Sequence, residues 1–195
     1  MGKVMDVIRA IETRQSIGRM KPDPVPKELI ERILESAVHA PNHRLTDPWR
    51  FHVFTDKGRG ELARARAEIA RLQAEAEGES EELAAGRISR ERKKAFRAPV
   101  VIVVISEAGR DDVETLENYA ACACAVQNML LTAHALGLGA MWRTGAPAYH
   151  DHMRKFFGLN EGDTIVAHLY VGYPDMADRP RRRQPATEKT IWHEG

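Results

Sequence analysis

The sequence predicts an α+β fold, a layered sandwich of a few strands interleaved with long helices. Three observations predict it. Residues 100–105 (Val, Val, Ile, Val, Val, Ile) form an unbroken β-branched run, the pattern of a strand buried on both faces. Residues 118–142 hold no Asp, Glu, Lys or Arg and are rich in Ala, which reads as one long, buried central helix. Around these two segments, apolar residues recur at helical spacing in some stretches and form short strand-like runs in others.

Taken in order, Val4, Val7, Ile8 and Ile11 predict a first helix over about 4–13. Pro22, Pro24 and Pro26 then exclude regular structure, and Pro26 suits the first turn of the next helix, where a missing N–H costs nothing. Leu29, Ile30, Ile33, Leu34, Ala37 and Val38 mark that helix's buried face, and it must stop before Pro41. Residues 50–55 read as a short strand. Residues 59–96 are charged and Ala-rich, with sparse apolar anchors, and predict two exposed helices broken near Gly78: a solvated excursion, with a lid over a site as the sharper alternative. The central helix ends near Gly137 and Gly139. A short strand over 140–143, a short helix over 153–157 closed by Gly158, and a last strand over 165–173 follow. The tail from Asp178 reads as extended. No repeat or linker divides residues 1–195, so a single domain is expected, large enough for a true core.

Composition narrows the function. The net charge is +1 with His neutral, which gives no general reason for nucleic-acid or membrane binding. The charge-free run contains Asn118, Gln127, Asn128, Thr132 and His134, so it reads as a core helix and not a membrane span. The N-terminus has no apolar signal segment, and a cytoplasmic protein is expected. The two cysteines, Cys122 and Cys124, are too few and too close for a disulfide framework, and both read as small core residues. His150, Asp151 and His152 lack an evident third ligand for a metal. There is no G-x-G-x-x-G after a strand, no phosphate-binding G-x-x-x-x-G-K-[ST] and no G-x-S-x-G elbow.

Four separated stretches share one chemistry: Arg14, Gln15 and Ser16; His39 to His43 with Pro41 and Asn42 between; Pro48, Trp49, Arg50 and Phe51; and Trp142, Arg143, Thr144 and Gly145. Each mixes cationic or hydrogen-bonding side chains with proline, glycine or tryptophan, as in polar loops around a flat, anionic ligand. Each also has a plain structural reading. Arg14 could complete a helix dipole, the histidines could be surface residues, and Trp49 could be core. Arg181, Arg182 and Arg183 could contact a phosphate or simply be solvated; in a near-neutral protein they are weak nucleic-acid evidence.

In order and spacing these residues resemble the nitroreductase family, and most closely its minimal single-domain subgroup. Residues 14–19, the stretch from Ala40 through Phe51, the run Phe96, Arg97, Ala98 and Pro99, and residues 139–145 carry the resemblance, which covers nearly the whole chain. The resemblance implies an α/β/α sandwich with a mixed central sheet. It also implies a homodimer with FMN at the subunit interface, and NADH or NADPH as electron donor. Electrons would pass through flavin N5 to nitroaromatic, quinone or similar acceptors, in two half-reactions at one site. Dehalogenation, enone reduction, flavin breakdown and non-catalytic flavin binding on the same fold are the alternatives it leaves open. By matching to the family pattern, Arg14, Gln15, Ser16, Pro41, Asn42, Trp142, Arg143 and Thr144 line the cofactor. His39 and His43 would reach it from the other subunit, and Arg181 or Arg183 would reach its phosphate. Residues 132–137 would bear on the nicotinamide nucleotide, and no side chain is required as a catalytic acid or base. Two positions depart from the common pattern: Gln15 where many members have Arg, and Asp47 where many have Gln.

Overall fold

The alternation within strand β2 (Val100–Ser106) organises the molecule. The strand is buried along its whole length, and its successive side chains point to opposite faces. Val100, Ile102 and Val104 enter one apolar cluster, while Val101, Val103 and Ile105 enter a second. Each cluster needs its own cover, so helices must lie on both sides of the sheet. The structure, a computed structural model, describes residues 5–177 and 183–194.

Among the described residues the sheet has four strands: β1 (Trp49–Thr55), β2, β3 (Gly139–Arg143) and β4 (Thr164–Gly172), in the order β1-β2-β4-β3. All three pairings are antiparallel, for example Val53 with Ile102, Ile102 with Leu169, and Arg143 with His168. The expected mixed character is confined to one isolated parallel bridge, between Ser16 and Ala140.

One face is covered by α2 (Lys27–Val38) and α5 (Asp112–Ala135). Ile30, Ile33 and Ala37 meet Cys122, Ala125, Val126, Met129 and Ala133 there. The second face is covered by α3 (Arg59–Ala76) and α6 (Asp151–Phe156). Helix α3 corrects the expectation of a solvated excursion. Leu62 and Ile69 are fully buried, and Ala63, Ala65, Ala70 and Ala74 join them. The small residues let α3 lie close to the sheet, and α4 (Glu81–Lys94), which has no buried residue, rides on it.

Two helices expose apolar faces that periodicity alone would bury. In α1 (Val7–Thr13), Val7, Ile8 and Ile11 are all more than half exposed, and only Ala10 is buried. Helix α5, expected to be a buried central helix, is buried on one face only within the single chain. Val113, Leu116, Tyr119, Ala120, Cys124 and Gln127 form a solvent-facing stripe that is uncharged throughout. Cys124 is therefore exposed, while Cys122 is the core cysteine, its thiol pushed up to about 11 by burial. Among the described residues no helix is long and apolar enough to cross a membrane.

Candidate functional site

The end of α1 lies against the start of β3. Arg14 caps the helix, its N–H bonded to the Ala10 carbonyl at 3.0 Å. The chain then runs beside the edge strand, and Ile17 N–H donates to the Ala140 carbonyl at 3.0 Å. Gly139 permits this approach: a Cβ there would sit 2.8 Å from Ile17 side-chain atoms. Arg14, Gln15 and Ser16 are thereby fixed at one corner of the sheet. Thr13 Oγ1 lies 2.8 Å from His134 Nε2, which ties the corner to the C-terminal end of α5. Residues 132–137 belong to that end, where Gly137 takes a φ of +78° that closes the helix.

Trp142, Arg143 and Thr144 follow along the same edge. Trp142 and Arg143 are strand residues, as are Trp49, Arg50 and Phe51, so these stretches are not all loops. The Trp142 indole N–H donates to the Val166 carbonyl at 2.9 Å and its ring packs on the first core cluster. Its role in the chain is to fix the strand end. Arg143 alternates to the other face. Register puts it opposite His168, with Cβ atoms about 5 Å apart on one side of the sheet.

On that side a cavity of about 340 Å³ opens between the sheet, α3, α4 and the loop after β3. Arg66, Lys94, Arg97 and Arg143 line it against the single carboxylate Glu91, with Thr144, Gly145, His168 and Tyr170 completing the wall. Arg66 is only 5% exposed and is held by Glu91 Oε2 at 2.7 Å. Burial pushes the Glu91 carboxyl up, but hydrogen bonds from Lys94 and Arg66 outweigh it and hold it below the usual range. The Arg66 Nε and both ring nitrogens of His168 are buried without a hydrogen-bond partner. Such groups normally find one, which makes this cavity the candidate site for a polar ligand, although Arg50 Nε, His52 Nε2 and Glu79 Oε2 are also buried without a partner outside it. Two larger clefts differ. The one between α3, α4 and α6, about 740 Å³, has its Arg71 satisfied by Glu68 and Glu75. The other, about 670 Å³, is walled mainly by prolines and aliphatic residues between α2 and β1.

The histidine loop lies elsewhere. His39 caps α2, 73% exposed, with Nε2 3.6 Å from Glu35. After Pro41, the Asn42 side-chain Oδ1 accepts from the Asp47 N–H at 3.2 Å, while its Nδ2 donates to the Asp47 carboxylate at 3.3 Å. Asp47 thus closes a loop in which Arg44, Leu45 and Asp47 all have positive φ. His43 Nδ1 sits 2.7 Å from Glu117, and Thr46 donates to Asn118 at 2.8 Å. The loop is pinned to the N-terminal part of α5, whereas α1 is pinned at His134. At about 1.5 Å of rise per residue, those anchor points are roughly 25 Å apart. One protomer therefore does not bring His43 to the corner holding Arg14, Gln15 and Ser16.

Arg183 is exposed, and Arg181 lies outside the described residues. His150 Nδ1 accepts the His152 N–H at 3.1 Å as a helix cap, and no metal-binding group of His, Cys, Asp or Glu occurs among the described residues. Sequence reasoning missed Arg66, Glu91, Lys94, Arg97, His168 and Tyr170. A signal existed for two of them: His168 is an ionisable residue inside an apolar strand, and Arg66 lies on the Leu62 and Ile69 stripe of its helix.

The nitroreductase family model matches residues 11–173. An Escherichia coli K12 protein, YdjA, provisionally named an NAD(P)H nitroreductase, is 32% identical over 174 residues, covering 88% of this chain and 90% of its own. The solved structure of a nitroreductase-like family protein from Bacillus cereus superposes with a TM-score of 0.86 at 30% identity, over 100% of both chains. That of a provisionally named nitroreductase from Desulfovibrio desulfuricans, in complex with FMN, does so with a TM-score of 0.72 at 26% identity, over 98% and 99%.

Proposed function

This chain belongs to the nitroreductase family, and from that membership we propose that it is an FMN-dependent oxidoreductase, taking electrons from NADH or NADPH and passing them to an electron-poor acceptor such as a nitroaromatic or a quinone. The observation that carries the proposal is the cavity beside the edge strand, with four cationic side chains, one carboxylate and three buried, unpartnered nitrogen atoms. Those residues fit FMN. The pyrimidine edge of a flavin alternates carbonyl acceptors with an imide N–H, and its electron density rises on reduction. A relative of 26% identity has been solved in complex with FMN.

The chemistry supplied by bound FMN is acceptance of a hydride from the reduced nicotinamide and onward transfer of the electrons. The residues of the chain hold and polarise. Arg66, Lys94, Arg97 and Arg143 set a positive potential, and at an effective dielectric of about 20 a cation 4 Å from a unit charge contributes up to about 4 kcal/mol before desolvation. Arg14, Gln15 and Ser16 add a guanidinium, an amide and a hydroxyl at the adjoining corner.

The site is completed by a second copy of the chain. The outward stripe of α5 and Val7, Ile8 and Ile11 of α1 leave large apolar side chains exposed, as in surfaces that self-associate. A two-fold axis on that surface would let the partner supply the loop that carries His43, which within one protomer is held roughly 25 Å from the α1 corner.

An absorbance spectrum of the isolated protein, recorded before and after NADH or NADPH, tests the proposal. The expected preparation is yellow and bleaches on adding donor. A colourless protein that takes up no added FMN would overturn it.

A further inference from the structure

His168 is the side chain whose burial the fold does not explain. It is 1% exposed in the middle of β4, between Ala167 and Leu169, where an aliphatic residue would pack without penalty. Neither ring nitrogen has a partner. Burial, and then the charge of Arg66, push its pKa down to about 3, so the ring is neutral and offers one N–H donor and one lone pair. A cavity meant only for a simple anion needs donors alone. A ring that presents both, with the unpartnered Nε–H of Arg66 beside it, matches an edge that alternates acceptor and donor.

We propose that His168 is a cofactor-binding residue of this chain, hydrogen-bonding through a ring nitrogen to the polar edge of FMN. This rests on the flavin reading above. The imidazole faces the same side of the sheet as Arg143, its partner in register, and lines the same cavity as Thr144 and Tyr170. The apo-protein carries a buried polar group that is unsatisfied, and binding satisfies it. The competing occupant is a single trapped water.

The test compares FMN affinity, by quenching of FMN fluorescence on addition to the apo-protein, with apo-protein melting for wild type, His168→Phe and His168→Gln. Phe keeps an aromatic ring but removes both nitrogens; Gln keeps a donor and an acceptor. The expected result is an FMN dissociation constant raised roughly 3- to 10-fold in His168→Phe, with an apo-protein that melts no lower than wild type. His168→Gln should bind more tightly than His168→Phe. The visible band of bound flavin should shift between wild type and His168→Phe. A merely structural histidine would lower melting and affinity together. If wild type binds FMN and His168→Phe binds it equally well, the proposal fails while the flavin reading stands. If wild type binds no FMN, both fail. If His168→Phe does not fold, His168→Ala replaces it, and affinity retained in Ala overturns the proposal.

Discussion

Acid should weaken this fold through His168 before it weakens it through the carboxylates. The ordinary histidine value is 6.5, and burial followed by the Arg66 charge brings the folded-state value to about 3. The sign follows from proton uptake: between those values the unfolded chain binds a proton at His168 and the folded chain does not. Stability from this group is therefore complete above pH 6.5 and falls as pH drops toward 3. At pH 5 the unfolded state gains about 2 kcal/mol from this one site, and at pH 7 almost nothing. In a chain of this size that corresponds to a melting point lower by roughly 4–8 °C at pH 5 than at pH 7. The assay is thermal or urea denaturation of the apo-protein at both pH values, for wild type and His168→Phe. The other histidines and all carboxylates are common to both proteins, so their contributions cancel in the difference. The wild type should lose about 2 kcal/mol more than the variant between pH 7 and pH 5. Equal losses would refute the reasoning, because they would mean that His168 takes up its proton in the folded state.

Glu91→Ala should destabilise the fold by about 3 kcal/mol in urea denaturation, since it strands the buried Arg66 guanidinium, whereas Arg66→Met with Glu91→Leu should lose much less. Gly139→Ala should push residues 14–17 off the edge strand, because its Cβ would meet Ile17 at 2.8 Å; the expected readout is weaker FMN retention, and unchanged retention would count against that corner as part of the site. Leu116→Lys places a charge on the exposed stripe of α5, where Leu116 is 70% exposed; light scattering should show a shift from dimer to monomer together with loss of bound FMN, and a flavin-loaded monomer would refute the shared site. Arg14→Ala keeps the backbone cap and should reduce FMN retention more than it lowers the melting temperature; equal losses would favour a purely structural role for the guanidinium at the helix end.

What could be read in the sequence depended on whether a residue's neighbours were local. The β-branched run at residues 100–105 announces a strand buried on both faces, and β2 is that strand. The helix ends at Val38 and Ala135 follow from Pro41 and Gly137. Helix α3 was harder. Its buried face is made largely of Ala63, Ala65, Ala70 and Ala74, which contribute little hydrophobic contrast against so many charges. Taking α3 for a solvated excursion hid the floor of the cavity, and with it Arg66. The apolar periodicity of α1 was real, but a period states only that one face is apolar. It does not state what covers that face, and among the described residues Val7, Ile8 and Ile11 stay more than half exposed.

The motif residues and the cavity residues divide the work. Trp142 holds Val166, Asn42 holds Asp47, and His43 meets Glu117; these contacts shape a strand end and a loop. They are recognisable in sequence because shaping a backbone demands particular residue types at fixed spacing. The charges that would act on a bound ring, from Arg66, Lys94 and Arg97, come from a helical hairpin and the turn after it, where no spacing rule applies. Their signature is energetic: a buried arginine held by one glutamate, beside an imidazole with both nitrogens unsatisfied. A chain that gains nothing from a ligand at this point would be more stable with aliphatic side chains in place of both. The unpaired, buried nitrogens of Arg66 and His168 are thus the physical reason to expect a polar partner against this part of the sheet.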